Sequence, residues 1–363
     1  MKDISTGVRI LFAGDYWLGS NTVYIARAFE KCGAIIRFVN RSTIFPRWES
    51  FWGRAARRVL RRSLIESEWN NQILDLVDRF QPDLIYLTNA HLCWSETLRI
   101  IHERSIPIMC FYHDVIWDRP HSRFKENLPN FDLVATTRSW QESEFKDAGA
   151  KAVQIARFGF DPLVHRPITL DNLAIERYGT DVTFIGTYEA HRAAEITALV
   201  TDKFPYHLRL WGHWNPLATE SPVRKYWQKR DVHEQEIPVI YAASKVALHW
   251  LGWEPHGDNL AMKKGDQHNS RTFQIAACGG AMMLAQRTEE HQHFFTEDKE
   301  AVYFEDVHEL REKLKYWLDT ARDEDRKLIA EASRIRSLKE DYSYIPVVRR
   351  FLEHFKLPIA TER

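Results

Sequence analysis

The sequence predicts an α/β protein made of two parallel-sheet domains. Short apolar runs bounded by turn residues alternate with helix-length amphipathic stretches, the pattern of parallel strands joined by crossover helices. That alternation lapses once, between Phe158 and Tyr178, and then resumes. The chain has 363 residues, 44% of them hydrophobic, which is more than one core usually organises.

In the first half, strands are expected at Val8 to Ala13, Ile35 to Val39, Leu84 to Thr88, Ile108 to Tyr112 and Leu133 to Thr136. Ligands of open α/β sheets bind beyond the carboxyl ends of the strands. Gly14 to Asn21, Asn89 to His91 and His113 to Trp117 should therefore share one face. Gly159, Pro162 and Pro167 mark the connection, which sets an N-terminal domain at 1–165 and a second at 166–340. In the second, strands are expected at Val182 to Ile185, Leu208 to Trp211, Val246 to Trp250 and Ala281 to Leu284. Ile237 to Ala243 and Ser270 to Ala277 read as helical, as do Val307 to Leu318 and Arg322 to Ser337. The remainder, 341–363, holds a last amphipathic helix from Ile345 to Phe355.

Fifty basic and fifty acidic side chains cancel, so no global field draws the protein toward nucleic acid or membrane. Cys32, Cys93, Cys110 and Cys278 lie far apart without metal-ligand spacing, as suits reduced thiols in the cytoplasm. The first apolar run is broken by Gly14 and Asp15, too early for a signal-peptide core or a membrane span.

The most informative stretch runs from His268 to Met282. It reads as a polar loop, a capping Asn269 or Ser270, one short helix, the Gly279-Gly280 stop and a buried strand. A helix entered this way turns its N–H groups and the positive end of its dipole toward an anion, and a diphosphate would fit. Arg271 adds a fixed charge for phosphate oxygens, and Gln274, one turn further in, offers an amide to a ribose diol.

The string NSRTFQIAACGGAMML, with Glu309-Leu310 and the arginine-rich closing helix, resembles the donor-binding domain of the CgeB-like glycosyltransferases. These are relatives of the retaining group-1 family. Asp181 to Thr187 with His191-Arg192, Leu208 to Gly212, and Ile240 to Leu248 resemble further segments of that domain in the expected order. Upstream, Phe111 to Asp114 and the run from Phe131 to Pro162 resemble the acceptor domain.

The resemblance implies a GT-B fold, two Rossmann-like domains facing across a cleft, with the last helix free to pack back on the first domain. It implies transfer of a sugar from a nucleoside-diphosphate donor to a glycan, lipid-linked or surface-polymer acceptor, as in cell-surface glycan biosynthesis. Anomeric configuration would be retained, and neither a metal nor a cofactor would be required. The donor residues it implies are Gly186, Thr187, Arg192, Asn269, Ser270, Arg271 and Gln274. Catalytic positions would be His113, Asp114 and Asp266, with the loop from Glu254 to Asp266 beside the sugar. Gly14, Gly19 and Ser20 read as an acceptor or diphosphate loop or as an ordinary strand-to-helix turn that binds nothing. The residues do not distinguish UDP from GDP as the donor nucleotide.

Two positions depart from the family. Its relatives carry two glutamates with seven residues between them, where this chain has Asp266 and Gln274. His249 stands where an asparagine is usual. An epimerase of the same fold and a non-catalytic, coat-associated binding protein are the rival readings, the latter kept open by Gln274. His291 and His293 resemble a metal pair but read as a solvated loop. Asp323-Glu324-Asp325 reads as a solvent-facing acidic run.

From Arg41 to Arg62 there are seven arginines (Arg41, Arg47, Arg54, Arg57, Arg58, Arg61, Arg62) against the single acid Glu49. Phe51, Trp52, Ala55, Ala56, Val59, Leu60 and Leu64 recur beside them at helical spacing, the form of an interfacial amphipathic helix. A core-packed helix with a solvated basic face fits equally. The expected partners are the nucleotide sugar and the acceptor, without nucleic acid, and the location is cytoplasmic with allowance for peripheral contact at the inner membrane face.

Overall fold

The computed structural model describes residues 7–44, 62–119, 122–201, 204–252 and 265–360. The chain divides into two compact units. One comprises Met1–Arg157 with Tyr344–Arg363, the other Phe158–Ser343.

The first unit carries a six-stranded parallel sheet in the order β2-β1-β3-β4-β5-β6. Its strands are β1 Arg9–Gly14, β2 Ile35–Asn40, β3 Leu84–Thr88, β4 Ile108–Tyr112, β5 Leu133–Thr136 and β6 Val153–Ile155. The runs in β1, β3, β4 and β5 are buried almost throughout, as strands covered by helices on both faces must be. Phe12 stacks on Tyr86 at 4.1 Å between ring centroids and meets Phe29 edge-on at 5.4 Å.

The second unit repeats the plan with five parallel strands in the order β11-β10-β9-β7-β8. These are β7 Thr180–Ile185, β8 Leu208–Trp211, β9 Ser244–His249, β10 Met282–Gln286 and β11 Val302–Phe304. Its core gathers Phe184, Trp214, Trp250, Leu284 and Phe304, with Phe184 edge-on to Trp250. In both sheets the first strand of the unit has its successor on one side and a later strand on the other. That is the topological switch at which open sheets bind ligands.

The division falls at Phe158 rather than at 166, for a local reason. Phe160 bridges to Ser343 and its amide donates to the Tyr342 carbonyl at 3.2 Å, so the supposed linker is already part of the second unit. The stretch without clear period contains a short helix, Asn172–Tyr178, capped by Asp171.

The last helix, Ile345–His354, returns to the first unit. Phe351 lies 6.5 Å from Phe29 and 5.7 Å from Phe111 between ring centroids, and the Tyr344 hydroxyl donates to Asn21 at 3.1 Å. Val347, Val348, Phe351 and Leu352 are all buried, each worth roughly 1.5–3 kcal/mol. All four cysteines are buried and outside any disulfide. No helix among the described residues is long and apolar enough to cross a membrane.

Most of the arginine-rich segment, including Arg54, Arg57, Arg58 and Arg61, lies outside the described residues. Arg41 leaves the cluster by ion-pairing with Asp15. The helix Arg62–Phe80 packs through Trp69, Ile73 and Val77 into the core of the first unit, while Leu64 is exposed.

Candidate functional site

In the second unit, the turn after β7 is braced by two hydrogen bonds. The Gly186 carbonyl accepts from Trp214 Nε1 at 2.9 Å, and the Tyr188 amide donates to His213 at 2.8 Å. Arg192 follows on the helix Ala190–Thr201 and is buried. Its Nη1 donates to the Thr187 carbonyl at 2.5 Å, its Nη2 to Trp250 at 3.4 Å, and the guanidinium lies over the Phe184 ring. It thus ties the turn after β7 to the end of β9, the two sides of the switch. Burial pulls its pKa down to about 10, although Glu189, Asp266 and Glu195 oppose the shift.

The expected helix spans Ser270–Cys278. Asn269, not Ser270, is the cap: its side chain accepts from the Arg271 amide at 2.8 Å and its carbonyl from the Thr272 amide at 3.2 Å. Those two amides are therefore already taken. What the helix offers an anion is its dipole, the Ser270 residue of its first turn and the Arg271 guanidinium. Gly279 ends the helix at φ 63°, a left-handed conformation that glycine adopts without strain.

Gln274 is buried and its Oε1 accepts from Arg271 Nη1. The two residues singled out for phosphate and ribose are thus brought together. Asp266 lies beside Gly252, with a carboxylate oxygen 3.2 Å from where a Cβ would stand, and within the field of Arg192. The rest of the Glu254 to Asp266 loop, up to residue 264, falls outside the described residues.

Three histidines organise the surroundings of this helix. His268 Nε2 accepts from the Phe158 amide at 3.2 Å, so its other nitrogen donates, to Glu290. His249 and His291 both hydrogen-bond Thr272 Oγ1, at 2.8 and 3.0 Å. His291 is therefore not in a solvated loop. The helix Glu289–Phe294 turns it inward and leaves His293 outside. Burial holds its pKa down at about 4 and that of His249 well below the ordinary range, the latter helped by His291 and Arg192.

In the first unit, Gly14 closes β1 against β3: a Cβ there would stand 2.8 Å from Thr88 Cβ. Gly19 has φ 99°, and Ser20 caps the helix Asn21–Lys31 by accepting from Val23 at 3.3 Å. Between them Trp17 and Leu18 are exposed. After β3, Asn89 and Ala90 adopt φ 57° and 46°, a left-handed pair that costs on the order of 1 kcal/mol per residue.

That turn lets Asn89 Oδ1 accept from the His113 amide at 2.8 Å and sets His91 Nε2 3.3 Å from Asp114. Arg138 Nη1 donates to the His113 carbonyl at 2.6 Å from the end of β5. Burial depresses the His113 imidazole to about 4, against the pull of Asp114 and with that of Arg138. Burial pushes Asp114 up, but His91, Arg119 and His113 together outweigh it and hold the carboxyl below its usual range. The imidazole is neutral and the carboxylate charged near neutral pH.

Arg138, Thr272 and His268 were not singled out from the sequence. Thr272 had a visible signal, since it stands at the third helical position after an Asn cap, where a side chain reaches back to the cap amide. Asp323, Glu324 and Asp325 pair with Arg326, Lys327 and Arg322. Among the described residues no three His, Cys, Asp or Glu side chains gather as a metal group.

Residues 191–353 match the model of the glycosyl transferase-like family. That segment is therefore glycosyl transferase-like. Its fold is GT-B. The sucrose-phosphate synthase of Thermosynechococcus elongatus superposes with a TM-score of 0.65 at 14% identity, covering 96% of this chain and 98% of that one. HepE of Anabaena, in complex with UDP and glucose, gives 0.60 at 13% identity over 96% and 99%. A glycosyltransferase of Rickettsia africae gives 0.61 at 11% identity over 96% and 98%. Comparison with curated proteins gives no match.

Proposed function

We propose that this glycosyltransferase moves a sugar from a nucleoside-diphosphate donor to a glycan or lipid-linked acceptor with retention, in the manner of the CgeB-like group, and without a resident metal. The observation that carries the donor half is the Asn269-capped helix with Arg271 in its first turn and Gln274 beside it, inside the matched segment. HepE, which shares the fold, binds UDP and glucose. That makes UDP the first nucleotide to try.

Breaking the bond between the anomeric carbon and the diphosphate sends both electrons to the leaving phosphate oxygen. Arg271 and the helix dipole would neutralise that charge. Asp266 would face the sugar, and His113 with Asp114 would line the acceptor side. The neutral imidazole can hydrogen-bond a sugar hydroxyl and the carboxylate can accept from one. The arginines between Arg41 and Arg62 supply the sequence basis for an anionic or lipid-linked acceptor, reached by peripheral contact with the cytoplasmic membrane face.

Titration calorimetry with UDP and GDP on wild type and Arg271→Ala tests the donor site. Loss of the arginine should weaken binding by about 1.5–3 kcal/mol, the range for hydrogen bonds to charged groups. Equal affinity in the two proteins would remove Arg271 from the site. Product analysis separates transfer from epimerisation, since only transfer consumes an acceptor.

A further inference from the structure

The hydroxyl of Thr272 has three neighbours and can satisfy all of them in one arrangement. A threonine hydroxyl offers one proton and two lone pairs. The Asn269 amide, 3.3 Å away, donates and claims a lone pair. His249 Nε2 and His291 Nε2, at 2.8 and 3.0 Å, claim the rest. One proton cannot serve two bare ring nitrogens.

The far side of His291 decides which ring receives it. Its Nδ1 lies 2.7 Å from the Gln286 carbonyl, which can only accept. Nδ1 therefore carries the ring proton, and Nε2 is bare and accepts from Thr272. His249 Nε2 must then carry its own proton and donate to the hydroxyl. The proton and both lone pairs of the hydroxyl are then used. All three side chains are buried, where an unmet polar group is costly.

The chain of bonds connects three elements. His249 is the last residue of β9, Gln286 the last of β10, and Thr272 stands in the first turn of the Ser270–Cys278 helix. Gln286 strengthens the frame by accepting from the Leu251 amide through its side chain at 2.8 Å. Thr272 is followed by Phe273 and Gln274 and preceded by Arg271, so a shift of its Cα moves the ligand-facing residues with it.

We propose that Thr272 is a positioning residue of the donor site: its one hydroxyl ties the first turn of the anion-facing helix to the carboxyl ends of β9 and β10, and nucleotide affinity depends on that tie. The proposal rests on the donor reading above. It assigns a role to His249, the position where the resemblance led to an asparagine, and to His291.

Two variants and one spectrum test it. Thr272→Val keeps the branched shape and deletes the hydroxyl, whereas Thr272→Ser keeps the hydroxyl. In calorimetry with UDP, Thr272→Val should bind about tenfold more weakly than wild type, and Thr272→Ser within about threefold. Valine binding as well as threonine, or serine as poorly as valine, overturns the positioning role. A wild-type protein that binds neither UDP nor GDP overturns the donor reading and this proposal together, which distinguishes the two failures. Imidazole nitrogen spectra of the wild-type protein provide an arm that needs no folded variant. His249 should be the Nε2–H tautomer and His291 the Nδ1–H tautomer, and the reverse pair overturns the network.

Discussion

Arg271 donates a hydrogen bond to Gln274 one helical turn ahead of it. The residues proposed for phosphate and for ribose are therefore coupled, and neither can be changed in isolation. Gln274→Glu places a carboxylate against both the guanidinium and the diol. Charged acceptors make hydrogen bonds roughly twice as strong as neutral ones. UDP affinity should rise several-fold by calorimetry, and a fall would show that the new carboxylate draws Arg271 away from the phosphate.

Arg192 should behave differently from Arg271, because it is buried and donates to the Thr187 and Trp250 carbonyls. Arg192→Ala leaves both acceptors without their donor and should cost about 2–3 kcal/mol of stability. Arg271→Ala, at a partly exposed position, should change stability by no more than about 0.5 kcal/mol. Urea unfolding of the two variants checks the contrast, and equal losses would contradict it.

Acid should destabilise the second unit through His291. An unfolded imidazole protonates near its ordinary 6.5, but the folded one resists until about 4. The contribution is thus complete above pH 6.5 and is lost as the pH falls from there toward 4, in all about 3 kcal/mol. His291→Gln should be less stable at pH 7 and show a shallower loss between pH 7 and 4.5. Denaturation midpoints at the two pH values provide the measurement, and an unchanged slope would remove His291 as the source.

The arginine-rich segment should bind anionic vesicles at low salt and release them as salt rises. Each arginine near such a surface is worth about 1 kcal/mol, so replacing Arg57, Arg58, Arg61 and Arg62 together should abolish sedimentation with vesicles. Wild-type protein that ignores anionic vesicles at low salt would leave the segment as a packed, solvated helix.

Most of the two sheets could be read directly. Runs such as Leu84–Thr88 and Ile108–Tyr112 are buried on both faces, and a strand covered on both sides must be apolar along its whole length. The exceptions were β6 and β11, three residues each at the sheet edges. Segments that short show no period, and pairing with β5 and β10 is what makes them strands. The Ser270–Cys278 helix was equally legible, because capping residues and a glycine stop act over a few neighbouring positions.

What neighbouring residues dictate, the sequence by itself determined: the alternation of strands and helices, the Asn269 entry, the Gly279 stop, and the placing of Arg271 and Gln274 one turn apart. Contacts between distant residues were decided only by the tertiary structure. His291 sits among Glu289, Glu290 and His293 in the chain and looks solvated, yet one helical turn points it at Thr272 and the Gln286 carbonyl. Arg192 reads in the sequence only as a charge beside a glycine turn, and the folded chain adds the Thr187 and Trp250 carbonyls as its partners. The physical reason is the same in both cases. A polar side chain's role is set by the donors and acceptors that surround it once water is excluded, and in a parallel sheet those come from strands far apart in the chain.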